Sequence, residues 1–323
     1  MEWLLLIAGL VILLSGGEAL VRGATALARR LGVSPMVIGM TVLAFGTSAP
    51  ELAVNIAAAL AGRSALTFGN VVGSNIANVG LIVGITAILQ TLRIHRTIVT
   101  REIPIMLGAT ALTIFLASDW MLGRTPDHLD RIDGVLLLIA FAAFLFVTVS
   151  NALKARKSDL FMQEAEQEQD TVVSRNAIGA ILLTIAGLAG VLLGSKWTVD
   201  GATRVAQGLG MSEALIGLTI VAIGTSLPEL TTSLFAALKG HADLAIGNIV
   251  GSNVFNLLFV LGVSATIHAV PVPAERGRID LLTVAAFSLI LLPLGITQKK
   301  LRRGEGAFLL AGYVAFMVWR TFL

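Results

Sequence analysis

Apolar residues run through this chain in long, almost uncharged stretches, of which 1–14, 178–194 and 279–296 are clear examples. Each is long enough, or nearly so, to cross the roughly 30 Å of hydrocarbon in a bilayer. None alternates apolar and polar residues as the strands of a membrane barrel would. The pattern therefore predicts membrane-spanning helices. Read against charged and proline-bearing breaks, it gives ten spans, at roughly 3–27, 35–60, 66–90, 98–118, 132–151, 176–204, 213–238, 244–268, 279–297 and 305–322. Five precede a polar linker over 152–175 and five follow it. The expected fold is an all-α membrane protein with ten transmembrane helices in two five-helix halves, 1–151 and 176–323.

Composition agrees. Hydrophobic residues make up 56% of the 323 and charged residues only 13%, with a mean hydropathy of +0.87, far from the range of a water-soluble domain. The first segment opens with Met1, Glu2 and Trp3 rather than a basic stretch, so it reads as a retained span and not a cleaved signal. The chain has no cysteine, which excludes disulfides, thiolate metal sites and cysteine nucleophiles. Its net charge of +3 comes from Lys and Arg flanking the spans, without a basic tract, so no nucleic acid partner is expected.

Residues 16–84 align without a gap onto 194–262 at a constant offset of 178. Over 46–84 and 224–262, 19 of 39 positions are identical, and the shared residues include Gly, Thr, Ser, Pro, Glu and Asn in register. Chance likeness between apolar helices does not produce that, so the chain carries an internal duplication. Five is an odd number, so the second half enters from the opposite side and the repeats are inverted. Setting aside Arg22, near the end of the first span, fourteen Lys and Arg fall on the side of the central loop and eight on the other. That asymmetry predicts a cytoplasmic loop with both termini outside.

Glu51 and Glu229 occupy equivalent repeat positions deep in apolar spans, where an isolated carboxylate costs a few kcal/mol and survives when paired or functional. Thr47 and Ser48 lie four and three residues before Glu51, on its helix face, and Thr225, Ser226 and Glu229 repeat the arrangement. Pro50 and Pro228 lack an amide hydrogen and collide with the carbonyls of Gly46 and Gly224, so both helices should break there and free carbonyls for an ion. The following helix of each repeat carries Ser74 with Asn78, or Ser252 with Asn256, four apart. All are hard oxygen donors, suited to calcium, sodium or magnesium, and magnesium's reluctance to dehydrate favours the first two.

Plainer readings apply elsewhere. Gly73, Gly84, Gly251 and Gly262 read as close-packing positions, and Asn70, Asn75, Asn248 and Asn253 as helix caps or interhelical bonds. Asp119, Asp127, Asp130 and Asp133 read as solvated connections. The four histidines are scattered near span ends with no catalytic pairing, and the acidic linker lacks EF-hand spacing.

The stretches Gly-Thr-Ser-x-Pro-Glu, Gly-Asn and Gly-Ser-Asn, each present twice, resemble the alpha-1 and alpha-2 repeats of the cation/calcium antiporter superfamily, in particular the bacterial and archaeal sodium/calcium exchangers. The resemblance implies an antiporter moving calcium against sodium by alternating access. It implies ion ligation by the side chains of Thr47, Ser48, Glu51, Ser74, Asn78, Thr225, Ser226, Glu229, Ser252 and Asn256, and by the backbone carbonyls of Ala44 and Ala222. Many members carry Asp where Asn78 or Asn256 stands, so the neutral pair here argues against coupled potassium transport. No cofactor is implied beyond the transported ions, and a monomer in the prokaryotic inner membrane is expected to suffice. Two rivals stay open at this point: the same fold driven by protons, and an uncoupled cation channel. An intramembrane enzyme lacks any nucleophile and base.

Overall fold

The computed structural model describes residues 2–119, 126–156, 177–211, 224–274, 276–298 and 300–322. The chain begins with α1 (Glu2–Leu31), α2 (Pro35–Thr47) and α3 (Ala49–Leu60). Next comes α4, built of Ala65–Ala77, a π turn at Asn78–Val83, and Gly84–Leu89. Strand β1 (Leu92–Arg93) leads to α5, a π turn at Ile98–Glu102 continued by Ile103–Leu116. Strand β2 (His128–Leu129) and α6 (Arg131–Arg156) complete the first half.

The second half opens with α7 (Ala177–Gly208) and α8 (Leu227–Leu238). Helix α9 comprises Ala242–Val254, a π turn at Phe255–Val260, and Leu261–Ile267. Strand β3 (Val270–Pro271), α10 (Gly277–Gln298), β4 (Lys300–Leu301) and α11 (Arg303–Phe322) follow. Among the described residues seven helices are long and apolar enough to cross a membrane, or eight if α2 and α3 count as one broken span. Helix α11 covers the predicted span 305–322 without reaching that measure. Part of the predicted span 213–238, and most of the linker 152–175, lie outside the described residues.

The duplication is visible in the turns. The described glycines with positive φ are Gly32 and Gly210, at +62° and +81°, and Gly62 and Gly240, at +68° and +85°. Each pair is related by the repeat offset. After α3, the Arg63 amide reaches back to the Ala58 carbonyl at 2.8 Å; after α8, His241 does the same to Ala236 at 2.8 Å. Both are left-handed helix caps that a side chain would strain.

By compactness the chain forms two units, 1–47 with 150–248 and 48–149 with 249–323. In the first, α1 and α7 lie antiparallel with backbones in contact. A Cβ at Gly9, Gly16 or Gly23 would come within 2.6 Å of the amides of Thr198, Val191 or Thr184. On the facing helix, Gly187, Gly194 and Gly201 meet Leu20, Leu13 and Leu6 at 2.5 Å or less. Seven-residue spacing keeps each set of glycines on one face. In the same unit Gly39 of α2 and Gly247 of α9 seat these helices against each other, since a Cβ on either would lie 2.6 Å from a carbonyl of the partner.

The second unit uses the same device. Gly84 of α4 packs on Gly306 and Leu310 of α11, and Gly262 of α9 on Gly134 and Leu138 of α6. Phe141, Phe144, Phe255 and Phe259 form a ring cluster behind the π turn of α9. Two short antiparallel ribbons, β1 with β4 and β2 with β3, join helix ends. The outward faces remain apolar: Leu4, Val11, Ile132, Phe146, Leu182 and Leu282 are all more than half exposed. Such a surface belongs in lipid.

Candidate ion-binding site

The two Gly-Thr-Ser-x-Pro-Glu segments fold alike. Ser48 stands outside the helices on either side, at φ −88° and ψ 9°, and Ser226 lies just ahead of α8 at φ −92° and ψ 4°. Pro50 and Pro228 lie in the first turn of α3 and α8. There their missing amide hydrogens would have had no intrahelical acceptor. The predicted break therefore occurs in the first copy, displaced two residues ahead of Pro50, and α8 likewise begins directly after Ser226, two residues ahead of Pro228. Glu51 and Glu229 fall in the first helical turn, where unpaired amides and the helix dipole favour a negative charge.

Each carboxylate is 1% exposed. Thr47, Ser48 and Ser226 are buried with them, and Thr225 is half-buried. A π turn at Gly39–Leu43 immediately precedes Ala44, which is itself buried. Ala222 lies outside the described residues.

The candidate residues divide between the two units. The second unit holds Ser48, Glu51, Ser74, Asn78, Ser252 and Asn256. There α3, α4 and the π turn of α9 pack against one another, so Glu51, Ser74, Asn78 and Asn256 stand on mutually contacting segments. Asn78 donates through Nδ2 to Asn253 Oδ1 at 3.0 Å, and Asn253 donates to Met106 Sδ at 3.4 Å. Asn55 of α3 ties its Nδ2 to the Glu51 carbonyl at 2.7 Å. Asn78 Oδ1, Asn256 Oδ1 and Ser252 Oγ are buried without a protein partner. Buried oxygens are normally satisfied, so three in one region call for a ligand or water.

The first unit holds Ala44, Thr47, Thr225, Ser226 and Glu229. Here Thr47 Oγ1 makes a long 3.4 Å bond to Asn248 Oδ1, and Asn248 Nδ2 donates to Ser233 Oγ at 3.1 Å. The Gly224 carbonyl, four residues before Pro228, accepts the Ser195 hydroxyl at 3.1 Å. That carbonyl, expected to be open to an ion, is satisfied by α7 instead.

Sequence reasoning did not single out Asn55, Ser195, Ser233 or Met106. Asn55 and Ser233 could have been found, since each follows its glutamate by four residues and is related to the other by the repeat offset. The π turns that begin at or beside Asn78 and Asn256 carried no local signal. Such turns recur at functional sites.

Among the described residues no group of three His, Cys, Asp or Glu is placed to hold a metal. The candidate side chains are carboxylates, hydroxyls and amides, oxygen donors of the kind that suit a hard cation. Long apolar helices and two buried glutamates at repeat-related positions mark a membrane protein with ionisable groups inside its spans, the usual sign of an ion or substrate path. The chain belongs to the sodium/calcium exchanger protein family, whose profile matches residues 1–150 and 179–322. CaxA from Alkalimonas amylolytica is 40% identical over 95% of both chains. The sodium/calcium exchanger MaX1 of Methanosarcina acetivorans is 34% identical over 98% of this chain and 97% of its own. The solved sodium-calcium exchanger NCX_Mj, soaked with sodium and calcium, superposes with a TM-score of 0.82 at 31% identity, over 98% of this chain and 97% of that one.

Proposed function

We propose that the chain is a secondary active antiporter exchanging sodium for calcium by alternating access, with ten helices in two inverted repeats, 1–151 and 176–323. The observation that carries this reading is the duplicated carboxylate: Glu51 and Glu229, each 1% exposed and each in the first turn after a broken serine. Ligands are the side chains of Thr47, Ser48, Glu51, Ser74, Asn78, Thr225, Ser226, Glu229, Ser252 and Asn256, with the carbonyls of Ala44 and Ala222. Two carboxylates neutralise one calcium, and overlapping oxygens accept sodium instead, so the ions compete. An empty site leaves buried negative charge, which discourages crossing without cargo and couples the two fluxes. Asn78 and Asn256 add no charge, consistent with two acidic groups and no potassium requirement. The central loop is cytoplasmic and both termini are outside, by the excess of Lys and Arg on the loop side.

The test is calcium uptake into vesicles reconstituted with the purified protein. An outward sodium gradient should drive uptake, and equal sodium on both sides should stop it. Uptake that ignores sodium but follows a pH gradient would assign the coupling to protons, and uptake without any counterion gradient would make the protein a channel.

A further inference from the structure

The second unit carries two ribbons at opposite ends of α10, whose 22 residues span about 33 Å at 1.5 Å per residue. Both ribbons therefore lie at the level of lipid headgroups. Their charges are handled differently. Around β2 and β3, Arg278 pairs with Asp127 at 3.0 Å and His128 with Asp119 at 2.8 Å, while Arg131 donates to the Thr266 carbonyl. Around β1 and β4 the register sets Arg93 directly opposite Lys300, both exposed, over the buried pair Leu92 and Leu301. Like charges facing across strands repel. Arg96, Arg302 and Arg303 add three more exposed cations, and among the described residues none of the five pairs with a carboxylate.

Two neighbouring anions are already engaged. Glu102 is held by Arg101, and Glu305 accepts the Arg302 amide at 2.7 Å, capping α11. Beside Arg302 opens a groove of about 330 Å³ lined by Leu294, Arg302, Gly304, Glu305 and Phe308, with Phe308 60% exposed. The N-terminus of the 20-residue α11 lies at the same point, with its dipole favouring a negative ligand.

We infer that the β1–β4 ribbon and this groove bind an anionic phospholipid, its phosphate at Arg93, Lys300 and Arg302 and its acyl chain along Leu294 and Phe308. A free phosphate uses the cations but leaves the apolar wall uncovered. A lipid uses both, and supplies the charge that the ribbon lacks.

The inference does not depend on which ions are exchanged, and it is tested by binding rather than flux. The full chain would be purified in neutral detergent, offered equimolar phosphatidylglycerol and phosphatidylcholine of the same acyl composition, and weighed by native mass spectrometry. Phosphatidylglycerol should be retained preferentially. Each juxtamembrane cation contributes about fivefold to anionic-lipid affinity, so the R93Q/K300Q/R302Q variant should lose roughly 100-fold. All three side chains are exposed, so the melting temperature should hold; if the triple variant does not fold, Lys300→Gln alone should show the fivefold loss. Phe308→Ala should weaken lipid retention with the cations intact. Equal retention of both lipids by the wild type, or a triple variant that keeps its preference, would overturn the inference. So would displacement of phosphatidylglycerol by millimolar inorganic phosphate with Phe308→Ala silent, which would leave a simple anion site.

Discussion

The two copies of the glutamate motif share a backbone but not a polar network. Ser48 and Ser226 adopt nearly the same dihedrals, and Glu51 and Glu229 are equally buried. Around the second copy Asn248 holds Ser233 and Thr47, and Ser195 satisfies the Gly224 carbonyl, while further along the same repeat Ser252 Oγ and Asn256 Oδ1 stay buried without partners. The repeat counterparts of Asn248, Ser233 and Ser195 are Asn70, Asn55 and Gly17. Asn70 Nδ2 and Asn55 Oδ1 are buried without partners, and Gly17 has no hydroxyl to offer. The difference teaches that duplication preserved the parts proposed to touch an ion and let the bonds around them diverge. Inverted repeats that alternate access, as proposed above, have to be unequal in any one state, and different bonding around Asn248 and Asn70 is a form that inequality can take.

The comparison breaks most decisively at the carboxylates. Glu51→Gln and Glu229→Gln should each reduce sodium-dependent calcium uptake about 100-fold or more, because in the proposed mechanism each copy supplies one of the two charges that neutralise the cation. Both variants should still insert and melt as the wild type does, since the amide keeps the shape and relieves a buried charge. If one variant transported normally, the two copies would not be equivalent in function and the two-carboxylate mechanism would be lost.

A second difference concerns packing. A Cβ at Gly247 would lie 2.6 Å from the Met36 carbonyl, whereas its counterpart Gly69 has nothing within 4 Å. Gly247→Ala should therefore destabilise by about 1–3 kcal/mol as backbones are forced apart. Gly69→Ala should be neutral, or stabilising by up to about 1 kcal/mol through helix propensity. Thermal unfolding in detergent reads both. Equal losses would mean that the two glycines are held alike.

Much of this was legible in the sequence because the duplication marks positions rather than propensities. Glu51 with Glu229, Ser74 with Ser252 and Asn78 with Asn256 could be paired before any helix was placed, and the proline rule put the breaks within two residues. Its error has a physical cause. Proline is tolerated in the first turn of a new helix, so the chain departs from helical geometry ahead of the proline, at Ser48 and Ser226. The π turns at Gly39–Leu43, Asn78–Val83 and Phe255–Val260 were not legible, since an extra residue in a helical turn is stabilised by tertiary packing such as the phenylalanine cluster behind Phe255. Nor could the sequence say which asparagine is bonded to what. Asn75 and Asn253 are repeat partners, yet Asn253 bridges Asn78 and Met106 while Asn75 turns its Nδ2 to the Val71 carbonyl of its own helix.

The smallest expected effect is also the most direct probe of the unequal networks. Asn248 is fully buried and bonded at both ends of its amide, so Asn248→Ala strands the Ser233 hydroxyl and the Thr47 hydroxyl in an apolar interior. Leaving such groups unsatisfied costs about 1–3 kcal/mol. Asn70→Ala removes a half-buried amide whose Nδ2 already lacks a partner, and the change should stay within about 0.5 kcal/mol. Ser233→Ala should reproduce part of the Asn248 loss, and the double variant should lose less than the two single losses added together, because both remove the same bond. Unfolding midpoints for the four proteins measure this directly. If Asn70→Ala proved as damaging as Asn248→Ala, the first copy would hold a network as closed as the second, and the asymmetry would have to lie outside the asparagines.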